Sequence, residues 1–306
     1  MAPSDAAALD AWHAARARVV GASEVAALFG VSPHTSHWSL WQIKAGRVAA
    51  PDISGDSRVR WGLRLENVIA DAVAEERGWT LLPGGHRTSS RIEGWGCTLD
   101  REIGDRGGGV LELKTVDWLV RKRDWGEEPP PHILLQLQAQ LGVTGREWGA
   151  VAALVGGNEL RIWEYQARPR IIAEIAKRVR AFWKSIRENR PPPVDGSPST
   201  ADTLAALYPN AARPMLDLRA DNLAPEACAG YLRAREAEAA ARREKAHYEA
   251  ILREKAGDAE AVMVNGFTVR LPAIAAIPDR VAEPGETIKG RAGYRRLSVS
   301  TRETVQ

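Results

Sequence analysis

The chain has 306 residues, 44% of them hydrophobic and 26% charged, with a formal net charge of +3. That is the composition of a soluble globular protein with room for one sizeable core and a smaller module, and its near-balanced charge argues neither for nor against a nucleic-acid partner. No apolar run approaches the roughly 20 residues that cross a bilayer, Asp5 and Asp10 stand where a signal peptide is basic, and two cysteines without a CxxC (Cys97 and Cys228) exclude a disulfide framework, a four-cysteine zinc site and an all-cysteine iron–sulfur cluster. The expected location is the cytoplasm.

In chain order, a short helix is expected over Asp10–Arg18 and a second from Ser23, as N-cap, to Phe29 before Gly30. A helix N-terminus beside Arg16 is also suited to an anion. A Ser-Pro turn leads to a helix with Leu40 and Trp41, closed by Gly46; His34 and His37 in that turn lack a third ligand and read as polar surface. From Arg58 to Arg77, Trp61, Leu65, Val68, Ile69, Ala72 and Val73 follow helical spacing and Gly78 ends the run, with Glu66 beside the stripe. Trp79–Leu82 and His86–Ile92 read as strands leading into Trp95–Asp100.

Asp105 and Gly107–Gly109 then turn the chain into Val110-Leu111-Glu112-Leu113-Lys114-Thr115. Strand alternation points Glu112 and Lys114 one way and Leu111 and Leu113 the other. Asp100 at the end of the preceding strand therefore brings a second carboxylate to the same spot. Hard divalent cations take carboxylate oxygens, water and substrate phosphate, and a lysine there can orient water or stabilise charge on phosphorus. By itself this pattern also suits a solvated ion pair.

Beyond it lie the basic triplet Arg121–Arg123 between Trp118 and Trp125, and a helix after Pro129–Pro131 in which Leu134, Leu137 and Leu141 mark the buried side while Gln136 and Gln140 share a face. Gly156-Gly157-Asn158 joins a hairpin over Glu147–Val155 and Glu159–Gln166, and a basic helix runs over Arg168–Arg190. Pro191–Ser199 reads as a linker, followed by a long helix over Glu226–Lys255, a hairpin over Ala261–Leu271 and a last strand through Arg295 and Arg296. The expected organisation is a domain over 1–190, a linker over 191–199 and a helix-plus-hairpin module over 200–306.

Asp, spacer, Glu-x-Lys resembles the signature of the PD-(D/E)xK nuclease superfamily. Trp12-His13-x-x-Arg16 followed by Ala22-Ser23-Glu24-Val25, then Leu40-Trp41, Lys44-x-Gly46, Trp61-Gly62-x-x-x-Glu66 and Gln136-x-Gln138 before Val143-Thr144-Gly145, resembles the YqaJ-like viral recombinase and lambda-type phage exonuclease family. The matching elements occur in the family's order over roughly residues 10–190. Leu99 stands where the superfamily's name has proline, a departure that removes no ligand.

The resemblance implies an α/β fold, a mixed central sheet flanked by helices with a smaller helical and hairpin C-terminal module. It also implies a Mg²⁺-dependent exonuclease that digests one strand of a duplex end 5′→3′ and leaves 3′ overhangs. Asp100, Glu112 and the Leu113 carbonyl would hold metal, Glu66 would assist a second ion, and Mn²⁺ would be able to substitute. Lys114 and Gln136 would place the nucleophile, while Arg16, Ser23 and Thr98 would hold the 5′-phosphate. The implied partners are double-stranded DNA ends, a single-strand annealing protein and further copies of the chain in a ring-shaped trimer. An endonuclease on the same core and a non-catalytic DNA-binding module are the alternatives.

Overall fold

A computed structural model describes residues 16–210 and 215–277, with short strands at 280–283, 286–288, 294–295 and 298–301. It divides into two compact units, Met1–Ala211 and Ala212–Gln306. In the first, β1 is Val20–Gly21, α1 Val25–Leu28, α2 His37–Lys44, α3 Ser57–Arg77, β2 Leu81–Thr88, β3 Trp95–Ile103, β4 Gly109–Val116, α4 Trp118–Asp124, α5 Pro131–Thr144, β5 Trp148–Val155, β6 Glu159–Gln166, α6 Pro169–Arg187 and α7 Pro198–Leu207. The strands form one mixed sheet in the order β1-β3-β4-β5-β6, with β2 on the free edge of β3. The pairs β1/β3 and β4/β5 are parallel and the others antiparallel. This is the expected α/β class, a mixed sheet with helices on both faces.

Alternation along β4 decides which helix covers which face. Leu111 and Leu113 pack with Ala150 and Ala152 against Ile69, Ala70 and Val73 of α3. Val110 and Val116, one pleat over, join Val151, Ala153, Leu137 and Leu141 in the core beneath α5. Helix α3 starts where Asp56 accepts the Arg58 N–H at 2.8 Å and stops at Gly78, whose φ of 66° is left-handed. Its apolar stripe is shorter than its periodicity suggests: Trp61 and Val68 are each 57% exposed, and burial is concentrated in the second half of the helix.

Several expected elements take a different form. The helix expected over Asp10–Arg18 lies almost wholly outside the described residues. Ser23 does not cap a helix: it is the exposed middle of a 3-10 turn, Ala22–Glu24, and the cap is made when the Gly21 N–H donates to Glu24 Oε2 at 2.8 Å. The strands expected at Trp79–Leu82 and His86–Ile92 are one strand, β2, running through Pro83-Gly84-Gly85. Gly84 permits this because the Leu99 carbonyl approaches so closely that a Cβ would stand 2.0 Å from its oxygen. Leu134 is half-buried, and Ile133 joins Leu137 and Leu141 on the buried side of α5.

Past the Pro-rich stretch the chain forms α7, which docks on α2 through buried hydroxyls. Ser36 Oγ lies 2.8 Å from Thr200 Oγ1, and Thr203 Oγ1 donates to Ser39 Oγ at 2.9 Å. The division between the units accordingly falls at Ala211/Ala212 instead of within 191–199.

In the second unit α8 spans Ala224–Ala256, and β7 (Ala261–Val264) and β8 (Phe267–Arg270) form a hairpin turning at Gly266. Ala256, Val269 and Leu271 make its small core. The expected last strand is in two pieces: Tyr294–Arg295 pairs with Ala273–Ile274, and Ser298–Thr301 pairs with β8, while Arg296 lies outside the described residues. No described helix is long and apolar enough to cross a membrane.

Candidate active site

The sheet forks between β3 and β4. Their ladder covers only Arg101↔Leu111, Glu102↔Val110 and Ile103↔Gly109. One step further on this register would set Asp100 opposite Glu112, but the strands part there. The Asp100 side chain takes over from the backbone, its Oδ2 accepting the Leu113 N–H at 2.7 Å. On the far side of the opening β3 pairs with β1 at Trp95 and Gly96. Because β2 already occupies the other edge of β3, β1 must lie on the fork side. Asp100, Glu112 and Lys114 thus meet where the sheet has run out of ladder bonds.

Glu112 is 2% exposed and surrounded by donors. Its Oε1 accepts from Lys114 Nζ at 2.5 Å and from Gln136 Nε2 at 2.6 Å, and its Oε2 accepts from Gln140 Nε2 at 2.6 Å. A buried carboxylate survives only with such compensation. Helix α5 supplies it because Gln136 and Gln140, four residues apart, present both amides to the Glu112 face of β4. The Oε1 of Gln140 is itself buried without a hydrogen-bond partner.

The electrostatics follow from this crowding. Burial, then the charge of Glu112, pushes the Asp100 carboxyl up to about 8, although Lys114 and the Leu113 N–H oppose the shift. For Lys114, burial pulls the other way but is outweighed by Glu112 and Asp100, so its ammonium is held above the ordinary lysine range. A second carboxylate beside Glu112 is thus costly to ionise in this buried site.

Glu66 stands apart from this cluster. It pairs with Arg101 Nη1 at 2.7 Å, and the same guanidinium bonds Asn67 Oδ1. Its charge still reaches Asp100. Among the described residues no three His, Cys, Asp or Glu side chains are gathered as a metal cluster. His34 and His37 form no metal pair: His34 meets His132 edge-on at 6.2 Å between ring centroids, and His37 stacks on Phe182 at 5.8 Å.

The segment from Arg16 to Ser23 is tied down by Lys44. Its ammonium donates to the Arg16 carbonyl at 2.9 Å and pairs with Glu24 at 2.8 Å. The 3-10 turn carrying Ser23 packs on both β3 and α5. Thr98 lies on β3 two residues before Asp100, opposite His86 of β2, and its carbonyl accepts from Gln140 at 3.5 Å. Arg16 is close enough for its charge to lower the His86 pKa, after burial. Of the basic triplet, Arg121 donates to the Trp125 carbonyl at 2.6 Å and Arg123 pairs with Asp124 at 2.7 Å. Trp118 is 58% exposed, whereas Trp125 is in the core.

The structure therefore joins Asp100, Glu112, Leu113, Lys114 and Gln136 directly and holds Glu66 one ion pair away. Sequence reasoning missed the contributions of Gln140 and Arg101. Four-residue spacing does put Gln140 on the Gln136 face, but no local pattern in the sequence turns that face toward Glu112.

The forked sheet, with its two acids and its lysine, is accompanied by a likeness in sequence: residues 11–147 are similar to the YqaJ-like viral recombinase domain. The chain is similar to YqaJ of Bacillus subtilis (strain 168), a protein described as uncharacterized, with 26% identity over 206 residues, 65% of this chain and 63% of the relative. It thus spans less than two thirds of that relative's length. Among solved structures it is similar to an alkaline exonuclease from Laribacter hongkongensis (TM-score 0.49, 22% identity, 59% of this chain and 94% of that one). A phage-related exonuclease from Haemophilus somnus 129PT gives a TM-score of 0.38 at 12% identity, over 62% of this chain and 89% of that one.

Proposed function

We propose that the chain is a Mg²⁺-dependent DNA exonuclease that digests one strand of a duplex end 5′→3′, leaving 3′ single-stranded overhangs for annealing. The observation that carries this reading is the meeting of Asp100, Glu112 and Lys114 at the open fork. The donor set suits a hard divalent cation, with two carboxylates and the neighbouring Leu113 carbonyl as oxygen groups. Asp100, Glu112 and Leu113 would hold the ion, Glu66 would assist a second once it leaves Arg101, and Mn²⁺ would substitute. Bound there, Mg²⁺ supplies Lewis acidity toward the scissile phosphate and a lowered pKa for water.

The chain's own residues do the rest. Lys114, the partly buried donor on Glu112, orients the attacking water and meets charge developing on phosphorus. Gln136, bonded to Glu112 and 3.4 Å from Lys114 Nζ, keeps that ammonium in line. Arg16, Ser23 and Thr98 grip the 5′-phosphate and so set the direction of digestion. Copies of the chain assemble as a ring-shaped trimer and work beside a single-strand annealing protein in the cytoplasm of the host cell.

Digestion of end-labelled duplex in Mg²⁺, with and without a 5′-phosphate and beside a covalently closed circle, tests this reading. Loss of label from the phosphorylated 5′ end with the circle intact is expected. Cutting of the circle would replace the exonuclease with an endonuclease, and loss beginning at the 3′ end would overturn the direction.

A further inference from the structure

Three amides of α5 are buried, and they divide by what they hold. Gln138 bonds away from the fork, donating to the Gln166 carbonyl at 3.0 Å and accepting the Arg168 N–H at 2.7 Å. Gln136 shares Glu112 Oε1 with Lys114. Gln140, wholly shielded from solvent, is the residue bonded to Glu112 Oε2, and its amide nitrogen also reaches the Thr98 carbonyl on β3. One amide group thus spans the opening of the sheet, touching the strand that carries Asp100 and the carboxylate on the strand opposite. The other end of that amide, Oε1, is a buried acceptor with no donor. An oriented amide cannot turn over there, because its oxygen would then face the carboxylate.

We infer that Gln140 is a positioning residue for metal binding: it locks Glu112 Oε2 and the β3 edge at a fixed separation, and its free carbonyl oxygen accepts from a water held at the fork. The inference rests on the metal-nuclease reading and adds to it a residue to which no role had been given. Lys114 and Gln136 both donate to Glu112 Oε1, so the second oxygen of the carboxylate is oriented by Gln140. Partners that orient a metal-binding carboxylate typically change metal affinity by about 10–100-fold when removed.

The test compares Gln140→Met with Gln138→Met in the full-length protein without DNA, following thermal unfolding across a Mg²⁺ titration. Both variants strip a buried amide from the same helix, and both are expected to melt below the parent. Gln140→Met alone is expected to raise the Mg²⁺ concentration for half-maximal stabilisation by about 10–100-fold. Digestion by the same variant should regain the parental rate at saturating Mg²⁺. If Gln140→Met does not fold, Gln140→Asn, which keeps the amide but withdraws it by one methylene, is expected to show the same shift. An unchanged Mg²⁺ midpoint in a folded Gln140 variant, or an equal shift in Gln138→Met, would overturn the assignment. A parent protein whose stability ignores Mg²⁺ would sink the metal-nuclease reading, and this inference with it.

Discussion

The two helices that cover β4 treat it in opposite ways. Helix α3 offers Ile69, Ala70 and Val73 to Leu111 and Leu113, whereas α5, on the other face, packs Leu137 and Leu141 in the core with Val110 and Val116 and also offers Gln136 and Gln140 to Glu112. Residues adjacent in sequence are thereby divided between stability and chemistry. The aliphatic face gains by excluding water from apolar surface. The amide face spends that gain to keep a carboxylate buried and charged. A strand with period two can do both because the pleat insulates one face from the other.

The comparison can be broken from either side. On the amide face, Lys114→Met should lower the rate of digestion per folded molecule by about 10²–10³-fold, as for other donors aimed at developing charge, and should also lower the melting temperature because Glu112 loses a donor. A variant that loses stability but digests at the parental rate per folded molecule would mean that Lys114 is only the counter-ion of Glu112. On the aliphatic face, Leu111→Ala should cost about 2–5 kcal/mol in denaturant unfolding while leaving the rate per folded molecule near the parent's. A large loss of rate in molecules that remain folded would show that the faces are not independent.

Asp100→Asn sharpens the contrast, because the two faces predict opposite signs. Removing one of two neighbouring buried carboxylates should raise the melting temperature of the metal-free protein at neutral to alkaline pH. It should also abolish stabilisation by Mg²⁺, which at about 100-fold over Kd would be worth about 2.7 kcal/mol in the parent. The smallest effect is expected at Glu66, on the α3 side of the sheet. Its pair with Arg101 is partly exposed, so Glu66→Gln should change stability by about 1 kcal/mol or less. Its effect on rate should be smaller than that of Lys114→Met, and a larger one would move Glu66 into the principal ligand set.

Period-two reading was enough to put Glu112 and Lys114 on one face and Leu111 and Leu113 on the other, and helical spacing was enough to bring Gln136 and Gln140 together. These are local properties, fixed by backbone geometry over a few residues. What could not be read depends on distant pairing. Arg101 meets Glu66 and Asn67 only because β3 passes α3 at that register, more than thirty residues away in sequence. Ser23 looks like a cap because it is a hydroxyl before an apolar run, yet Glu24 reaches back to the Gly21 N–H and takes that role. Pro83 to Gly85 look like a strand break, yet β2 runs through them, and at Gly84 β3 comes too near for any side chain. The Pro-rich stretch looked like a domain boundary, but the hydroxyls that anchor the following helix lie more than 160 residues away, on α2.

The most direct measurement is digestion of a 5′-labelled linear duplex in Mg²⁺ by the parent and by Glu112→Ala, with DNA binding followed alongside. Loss of digestion with binding retained is the predicted result. A Glu112→Ala protein that digests as fast as the parent would contradict the assignment of the fork as the site of chemistry.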